Sequence, residues 1–499
     1  MALVIAGERS GVGKTTVTLA LLAALAQQHS KIIQSFKVGP DYIDPMFHRR
    51  LTGRPCRNLD VILTSETYVQ DCFAHHTAAC DYAVIEGVMG LFDGASSSLI
   101  NPAIPWDRGS TAHIADLLQL PIVLVVNAGG TSRSIAALVH GYQTYAPQLR
   151  IAGVVLNRVS SERHLELLSK ALSSLNMPLL GVFYRQADIT IPDRHLGLVP
   201  TDELPELPAL IQRLATLGQA SFVWDHLLPL LSPPIPQPLI SDLDHSTPKS
   251  ERLTSKLDIS TSELDYPTSE LQLASSEPQH QPEAPCRLAI AQDAAFNFYY
   301  ADNLDILASV GFELVAWSPL KDRELPNNIH GLYLGGGFPE MFAAELSANQ
   351  SLLQQLHHLI SQGLPTYAEC GGLMYLCQAI VDFEQHSYPM LGILPTTAQM
   401  GKRLTLGYRQ IQPNPGLVNA LIPDAQIMVG HEFHRSTLTT RPTLPLYHLT
   451  NYDGSRPQTE GWQLGNVYAS YVHLHFGGCL NVPKRFLELC QTYRQSNHL

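Results

Sequence analysis

Charge is scarce in this chain. Asp, Glu, Lys and Arg make up 15% of 499 residues, and the balance is acidic, at a formal net charge of -12. So little positive charge excludes a nucleic-acid binder, although a few clustered Arg and Lys still suffice for an anionic small molecule. No apolar run reaches the roughly 20 residues that cross a bilayer, so no membrane partner is expected. The eight cysteines form no C-x-x-C pair, which leaves neither a zinc ribbon nor a disulfide framework and favours a reducing, cytoplasmic compartment. Residues 1–6 read as a strand feeding a glycine loop, not as a secretion signal. What is present is a 45% hydrophobic content, enough for two or more soluble α/β domains at this length.

The buried-strand pattern Ala2-Leu3-Val4-Ile5-Ala6 runs into Gly7-Glu8-Arg9-Ser10-Gly11-Val12-Gly13-Lys14-Thr15-Thr16, and a helix is predicted over 17–28. Strand, glycine loop and helix are the context of a phosphate-binding loop. The N–H groups around Gly11, Gly13 and Thr16 wrap phosphates, Lys14 reaches the terminal ones, and the Thr15 hydroxyl can ligate Mg²⁺. Glu8 stands where the strict spacing places the first glycine. A second strand over 31–36 ends at Lys37-Val38-Gly39-Pro40-Asp41-Tyr42-Ile43-Asp44, a lysine and two carboxylates on one loop. A third delivers Glu86 at its carboxyl end, where open α/β sheets bind ligands, and Asp93 follows on the next loop. Buried there, Glu86 needs either a metal or a salt-bridge partner. Strands over 151–156 and 179–183 extend the sheet, and Arg133, Arg158, Arg194 and His195 near them are candidates for substrate carboxylates.

Periodicity then fails. From 231 to 285 Pro, Ser, Thr, Glu, Asp and Gln dominate, which reads as a linker between a synthetase domain at 1–230 and a second α/β domain at 286–499.

In that second domain, Pro365-Thr366-Tyr367-Ala368-Glu369-Cys370-Gly371-Gly372-Leu373-Met374 reads as strand, sharp turn and helix with a thiol at the tip. A helix N-terminus favours thiolate, and the glycines leave N–H groups free for an oxyanion. Cys377 reads as a buried small hydrophobe. Before the elbow comes the bare loop Gly335-Gly336-Gly337. After it, residues 469–476 read as a strand carrying His473 and His475 on one face. A distant Cys/His pair is how nucleophilic thiols are activated, with the imidazole as base and then acid. The polar run Gly430-His431-Glu432-Phe433-His434-Arg435-Ser436 faces either an interface or substrate, or forms a hydrogen-bonded turn.

The loop, elbow and histidine strand, in that order, resemble a class I glutamine amidotransferase domain of the variant in cobyrinic acid a,c-diamide synthases. Cys370 matches the nucleophile and His473 its activating base. In the wider class a glutamate follows that histidine by two positions. Here His475 occupies the place, so the site reads as a dyad whose orienting group is left open. The N-terminal half resembles the same family, related to dethiobiotin synthetase, through Gly7 to Thr16, Phe36 to Asp44, Glu86-Gly87-Val88-Met89-Gly90-Leu91-Phe92-Asp93-Gly94, Gly109-Ser110-Thr111-Ala112, Leu156-Asn157-Arg158-Val159 and Arg194 to Pro200. The resemblance implies Mg²⁺ held by Thr15, Asp41 and Glu86, with Lys14 and Lys37 on ATP phosphates and Asn157 on adenine. It places Asp41, Tyr42, Glu86 and Asp93 around the reacting carboxylate. Asn127 stands where the family more often shows Asp.

The chemistry expected from the residues is ATP-dependent, glutamine-fed amidation of a carboxylate. The resemblance adds the substrate, the a and c carboxylates of cobyrinic acid in cobalamin biosynthesis, with hydrogenobyrinic acid and sirohydrochlorin as alternatives. A reading from another class is a P-loop switch or scaffold with an inactive amidotransferase domain. Expected partners are glutamine and the tetrapyrrole, with a homodimer as the one macromolecular partnership considered.

Overall fold

The computed structural model describes residues 2–27, 31–95, 106–185, 193–194, 197–231, 285–417, 421–422 and 427–497. Nearly all of the stretch read as a linker lies outside them. The described residues on either side of it belong to one compact unit.

Seven strands form the N-terminal sheet: β1 (Leu3–Gly7), β2 (Ile33–Val38), β3 (Arg57–Leu59), β4 (Tyr82–Glu86), β5 (Ile122–Asn127), β6 (Ile151–Val159) and β7 (Leu179–Tyr184). Their order is β3-β2-β4-β1-β5-β6-β7, and every pairing is parallel. Continuous apolar runs such as Leu3-Val4-Ile5-Ala6 suit strands covered on both faces. With β1 in the centre, the loops after β1, β2, β4 and β6 open on one edge, the carboxyl edge where ligands bind. The helix after β1 runs over Lys14–Ala26, three residues earlier than its apolar pattern suggested, because the glycine loop turns directly into it. Gly13, at φ 95°, is its N-cap. This Ala/Leu-rich helix is covered on its outer side by helix Leu207–Ser221. A Cβ at Gly218 would lie 2.2 Å from the Ala20 carbonyl oxygen, so the close crossing needs glycine there.

The C-terminal sheet is doubly wound only in its first half. Strands Phe312–Trp317, Cys286–Ala291, Gly331–Leu334, Thr366–Glu369 and Val467–Ser470 lie parallel, in that order. Beyond Val467–Ser470 the sheet continues antiparallel through Gln458–Leu464, Pro445–Asn451 and the long Leu394–Pro413. The strand expected over 469–476 is broken. The chain leaves the parallel ladder after Ser470, and Val472–His473 pairs instead with Met428–Leu438. Glu460 makes the transfer by accepting the Tyr471 N–H at 2.8 Å. His475 then caps a short 3-10 turn, so the two histidines meet different neighbours rather than sharing one face.

The two domains share buried surface. Tyr42 and Ile43 belong to one apolar cluster with Phe298, Tyr300 and Phe338. Arg57 binds Asp302 at 2.7 Å, and the Tyr408 hydroxyl donates to Asp60 at 2.9 Å. A Cβ at Gly478 would lie 2.0 Å from the Leu63 carbonyl oxygen, so backbone meets backbone across the boundary.

Candidate active sites

The first site is built on the carboxyl ends of β1, β2 and β4. Glu86, fully buried at the end of β4, accepts from the Thr15 hydroxyl at 2.7 Å and from Lys37 Nζ at 2.9 Å through Oε1. Its Oε2 lies 2.7 Å from His48 Nε2. Lys37 Nζ also donates to Asp44 at 2.6 Å and is 3.8 Å from Asp41. Burial opposes the Lys37 charge, but Asp44, Glu86 and Asp41 overrule it and raise its pKa well above the usual lysine range. Burial and the neighbouring Asp41 push Asp44 up to about 7. Asp41 stands at the margin, its carboxylate accepting the Ile43 and Asp44 N–H groups at the start of helix Ile43–Thr52. Lys14 Nζ donates to the Met89 carbonyl oxygen, and burial together with Lys37 lowers its pKa to about 8. Gly11 is exposed with φ 76°, Thr16 is half-buried, and exposed Asp93 accepts the Gly90 N–H at 3.0 Å. Asn157 donates to the Val12 carbonyl at 2.7 Å, and a Cβ at Gly13 would lie 2.2 Å from its Nδ2. It therefore braces the phosphate loop directly.

The second site is a strained elbow. Cys370 has φ 49° and ψ -100°, a conformation unfavourable for a side-chain-bearing residue and held here by packing. Its N–H donates to the Ser470 carbonyl at 2.7 Å, and its thiol to the Phe433 carbonyl at 3.8 Å. A Cβ at Gly371 would lie 3.1 Å from Gly337 N, and one at Gly336 only 2.5 Å from His473 Cε1. The glycine loop, elbow and histidine thus converge. No hydrogen bond yet joins Cys370 to His473, a looseness common before substrate binds. The expectation that the helix end favours thiolate is not met. Cys370 is 4% exposed, and burial with Glu340, Glu369 and Glu432 nearby pushes its pKa up more than the Gly371 N–H lowers it. Its proton must therefore be taken by a base.

Both halves match known families of domain. Residues 3–199 match the CobQ/CobB/MinD/ParA nucleotide binding domain, and 287–479 the CobB/CobQ-like glutamine amidotransferase domain. The chain is 54% identical to a cobyrinate a,c-diamide synthase of Synechococcus sp. over 98% of each chain. It is 50% identical to one of Synechocystis sp., over 99% of this chain and 94% of that one. It is also 40% identical to a hydrogenobyrinate a,c-diamide synthase of Streptomyces coelicolor, over 98% and 97%. The chain belongs to the cobyrinate a,c-diamide synthase family. With the family comes its class, glutamine-dependent ligases with a nucleotide-binding domain.

In this member of the family Tyr42 sits between the two sites. Its ring stacks on Phe298 at 5.2 Å and lies 4.6 Å from Tyr300 and 5.0 Å from His473. Tyr300 in turn lies 4.8 Å from His475. The polar run at 430–436 is part of strand Met428–Leu438 and lines the thiol site. His431 pairs with His473 in the ladder, Glu432 accepts from Arg409, and His434 stacks on Tyr471 at 3.9 Å. Cys377 is fully buried, its thiol donating to the Leu373 carbonyl. Asn127 accepts the Gly129 N–H, work a neutral amide does without a charge. Arg133 and Arg158 are exposed; the Arg194 side chain and His195 lie outside the described residues.

Sequence reasoning missed several participants. His48 was legible as the residue four after Asp44, one helical turn away on the same face. Asp302 links Arg57, the Cys72 thiol at 3.7 Å and His475 Nε2 at 3.5 Å, and Asn303 holds the Leu474 carbonyl and the Phe476 N–H. Cys72, His76 and Asp302 could group around a metal, but Asp302 already has both oxygens engaged by Arg57, Cys72 and His475. Nothing in the local pattern around Asp302 or Asn303 signals partners more than 170 residues away.

Proposed function

We propose that this chain converts the a and c side-chain carboxylates of cobyrinic acid into amides, using ATP and taking nitrogen from glutamine or free ammonia. The observation that carries the reading is Tyr42, which lies between Asp41 and the helix bearing Asp44, both beside Lys37, and is in ring contact with the histidine of the thiol site. Two chemistries that need each other are thereby joined through one side chain. Hydrogenobyrinic acid, named for the Streptomyces relative, is the alternative substrate.

Cys370 attacks the glutamine amide carbon as His473 takes the thiol proton. With the Gly335 N–H donated to Tyr299, the N–H groups of Gly336, Gly337 and Gly371 are the ones left to stabilise the oxyanion. His473 returns the proton to the leaving ammonia, then activates water to release glutamate. In the other site the γ-phosphoryl group of ATP passes to the substrate carboxylate, giving an acyl phosphate that ammonia displaces. Lys14, now on the Met89 carbonyl, turns to the phosphates, and the N–H groups of the glycine loop cradle them. Ammonia has to cross between the sites under cover, because bulk water would protonate it, and Tyr42 lies between the two sites.

Asp41, Asp44 and Glu86 set three carboxylates against the two basic groups Lys37 and His48. That donor set would hold Mg²⁺ through Thr15 and Glu86, with Asp44 beside them and Asp41 at the margin, once Lys37 gives up Glu86 Oε1. When bound, the metal neutralises phosphate charge. All eight cysteines are free, which suits a cytoplasmic enzyme.

Mass spectrometry of reactions with cobyrinic acid, hydrogenobyrinic acid or nickel-sirohydrochlorin, each with MgATP and glutamine, tests the reading. Two amides gained on cobyrinic acid are expected. ATP hydrolysis with no amide on any of the three would remove the tetrapyrrole. Cys370→Ala should abolish glutamine use while ammonia-driven amidation survives; loss of both would refute the division between the sites.

A further inference from the structure

The glutamate that follows the active-site histidine in the wider amidotransferase class is replaced here by His475, and His475 is committed elsewhere. Its Nδ1 accepts the Gly477 N–H at 3.2 Å, which leaves the proton on Nε2, and Nε2 faces Asp302 at 3.5 Å. Asp302 is bound to Arg57 of the other domain. His475 thus serves the domain boundary and gives nothing to His473.

A different carboxylate lies against His473. Glu369, the residue just before the nucleophile, is 2% exposed, and its Oε2 is 3.7 Å from His473 Nδ1. Oε1 accepts the Tyr367 hydroxyl at 2.8 Å and the Leu474 N–H at 3.0 Å; Oε2 accepts the Tyr333 hydroxyl at 3.0 Å. Three donors fix the carboxylate and leave one of its four acceptor positions unfilled, on the oxygen nearest the imidazole. Leu474 adjoins His473, so Glu369 holds the backbone beside the histidine as well as facing its ring. Among the described residues neither ring nitrogen of His473 has a hydrogen bond, so none of them already fixes the tautomer.

We propose that Glu369 is the orienting carboxylate of this site, supplied from the position before the nucleophile instead of two positions after the histidine. This rests on the reading of Cys370 and His473 as a glutaminase pair. When glutamine binds, a shift of about 1 Å turns the 3.7 Å ion-pair approach into an Nδ1–H hydrogen bond. The ring is then held as the tautomer whose Nε2 lone pair accepts the Cys370 proton. The imidazolium so formed faces the Glu369 carboxylate, and the proton goes on to the departing ammonia. Glu369 is a positioning residue, because it acts through His473 and touches no reacting atom.

Full-length Glu369→Gln and Glu369→Asp test this, each assayed for glutamate release from glutamine, for ammonia-driven amidation and for melting temperature. Glu369→Gln keeps an acceptor for the phenols and removes the charge. Its glutaminase kcat should fall at least a hundredfold with KM for glutamine within about threefold, while ammonia-driven amidation stays at the wild-type rate. Glu369→Asp should recover at least about tenfold of the lost kcat, because the charge is restored. Equal activity in the two variants would overturn the proposal, as would parallel loss of glutaminase, ammonia-driven amidation and melting temperature, the mark of a purely structural carboxylate. Wild-type chain that releases no glutamate would overturn the glutaminase reading itself, a result visible without any substitution.

Discussion

Replacing Tyr42 with Ala and with Phe separates what its ring does from what its hydroxyl does. Tyr42 is 5% exposed and makes close ring contacts with Phe298, Tyr300 and His473. Burying such a side chain contributes about 1.5–3 kcal/mol, and each aromatic pair adds about 0.5–1.5 kcal/mol. Truncation to Ala therefore costs roughly 3–5 kcal/mol, in line with other large-to-small changes in cores. For domains of this size that lowers the melting temperature by about 6–20 °C. The hole also opens the boundary between the sites, so ammonia escapes before it meets the acyl phosphate. Calorimetry and the ratio of glutamate released to amide formed read the two effects together. A ratio near one is expected for the wild type and for Tyr42→Phe, rising at least twofold in Tyr42→Ala. Tyr42→Ala with wild-type melting and an unchanged ratio would refute the argument. Loss of amidation from both nitrogen donors in Tyr42→Phe would instead place the phenol on the substrate carboxylate.

Gly336→Ala would set a Cβ 2.5 Å from His473 Cε1 and 3.2 Å from Phe298 Cβ, forcing the imidazole out of place. Glutaminase activity should drop about 10²-fold or more while ammonia-driven amidation persists, since a positioned acid–base group is worth that much; retention of glutamine use would show that the loop does not fix the histidine. Burial, with His473 and Arg409 nearby, pushes His431 down to about 3. An unfolded histidine titrates near 6.5, so the stability from keeping His431 neutral is complete above about pH 6.5 and lost as pH falls toward 3. At pH 5 the loss is about 2 kcal/mol. Urea denaturation of wild type and His431→Phe at pH 7 and pH 5 checks it, and equal losses on acidification would exclude His431 as the cause.

Local chemistry that one contiguous segment can display was legible in the chain. A strand, a glycine loop and Lys14-Thr15 announce phosphate binding because backbone N–H groups at a helix start need no distant partner. Cys370 between a strand and two glycines announces an elbow for the same reason. Glu86 was recognisable as a buried carboxylate in need of a cation, but which cation was decided in three dimensions, where Lys37 from β2 and His48 from the following helix converge on it. The Asp41 and Asp44 carboxylates looked equivalent on one loop. Only the turn into helix Ile43–Thr52 puts Asp44 on Lys37 and leaves Asp41 accepting backbone N–H groups.

The strand expected over 469–476 shows the limit from the other side. Alternation along the chain gave His473 and His475 a common face, but pairing partners, not periodicity, govern where a strand ends. The transfer at Tyr471 sends one histidine to Glu369 and the other to Asp302. The sequence by itself determined the two chemistries and the order of their parts. The tertiary structure decided that they touch through Tyr42, and that the carboxylate facing His473 comes from strand Thr366–Glu369, with which the histidine's own strand does not pair. Side chains more than a hundred residues apart meet only when the sheet aligns them, and no spacing along the chain records that alignment.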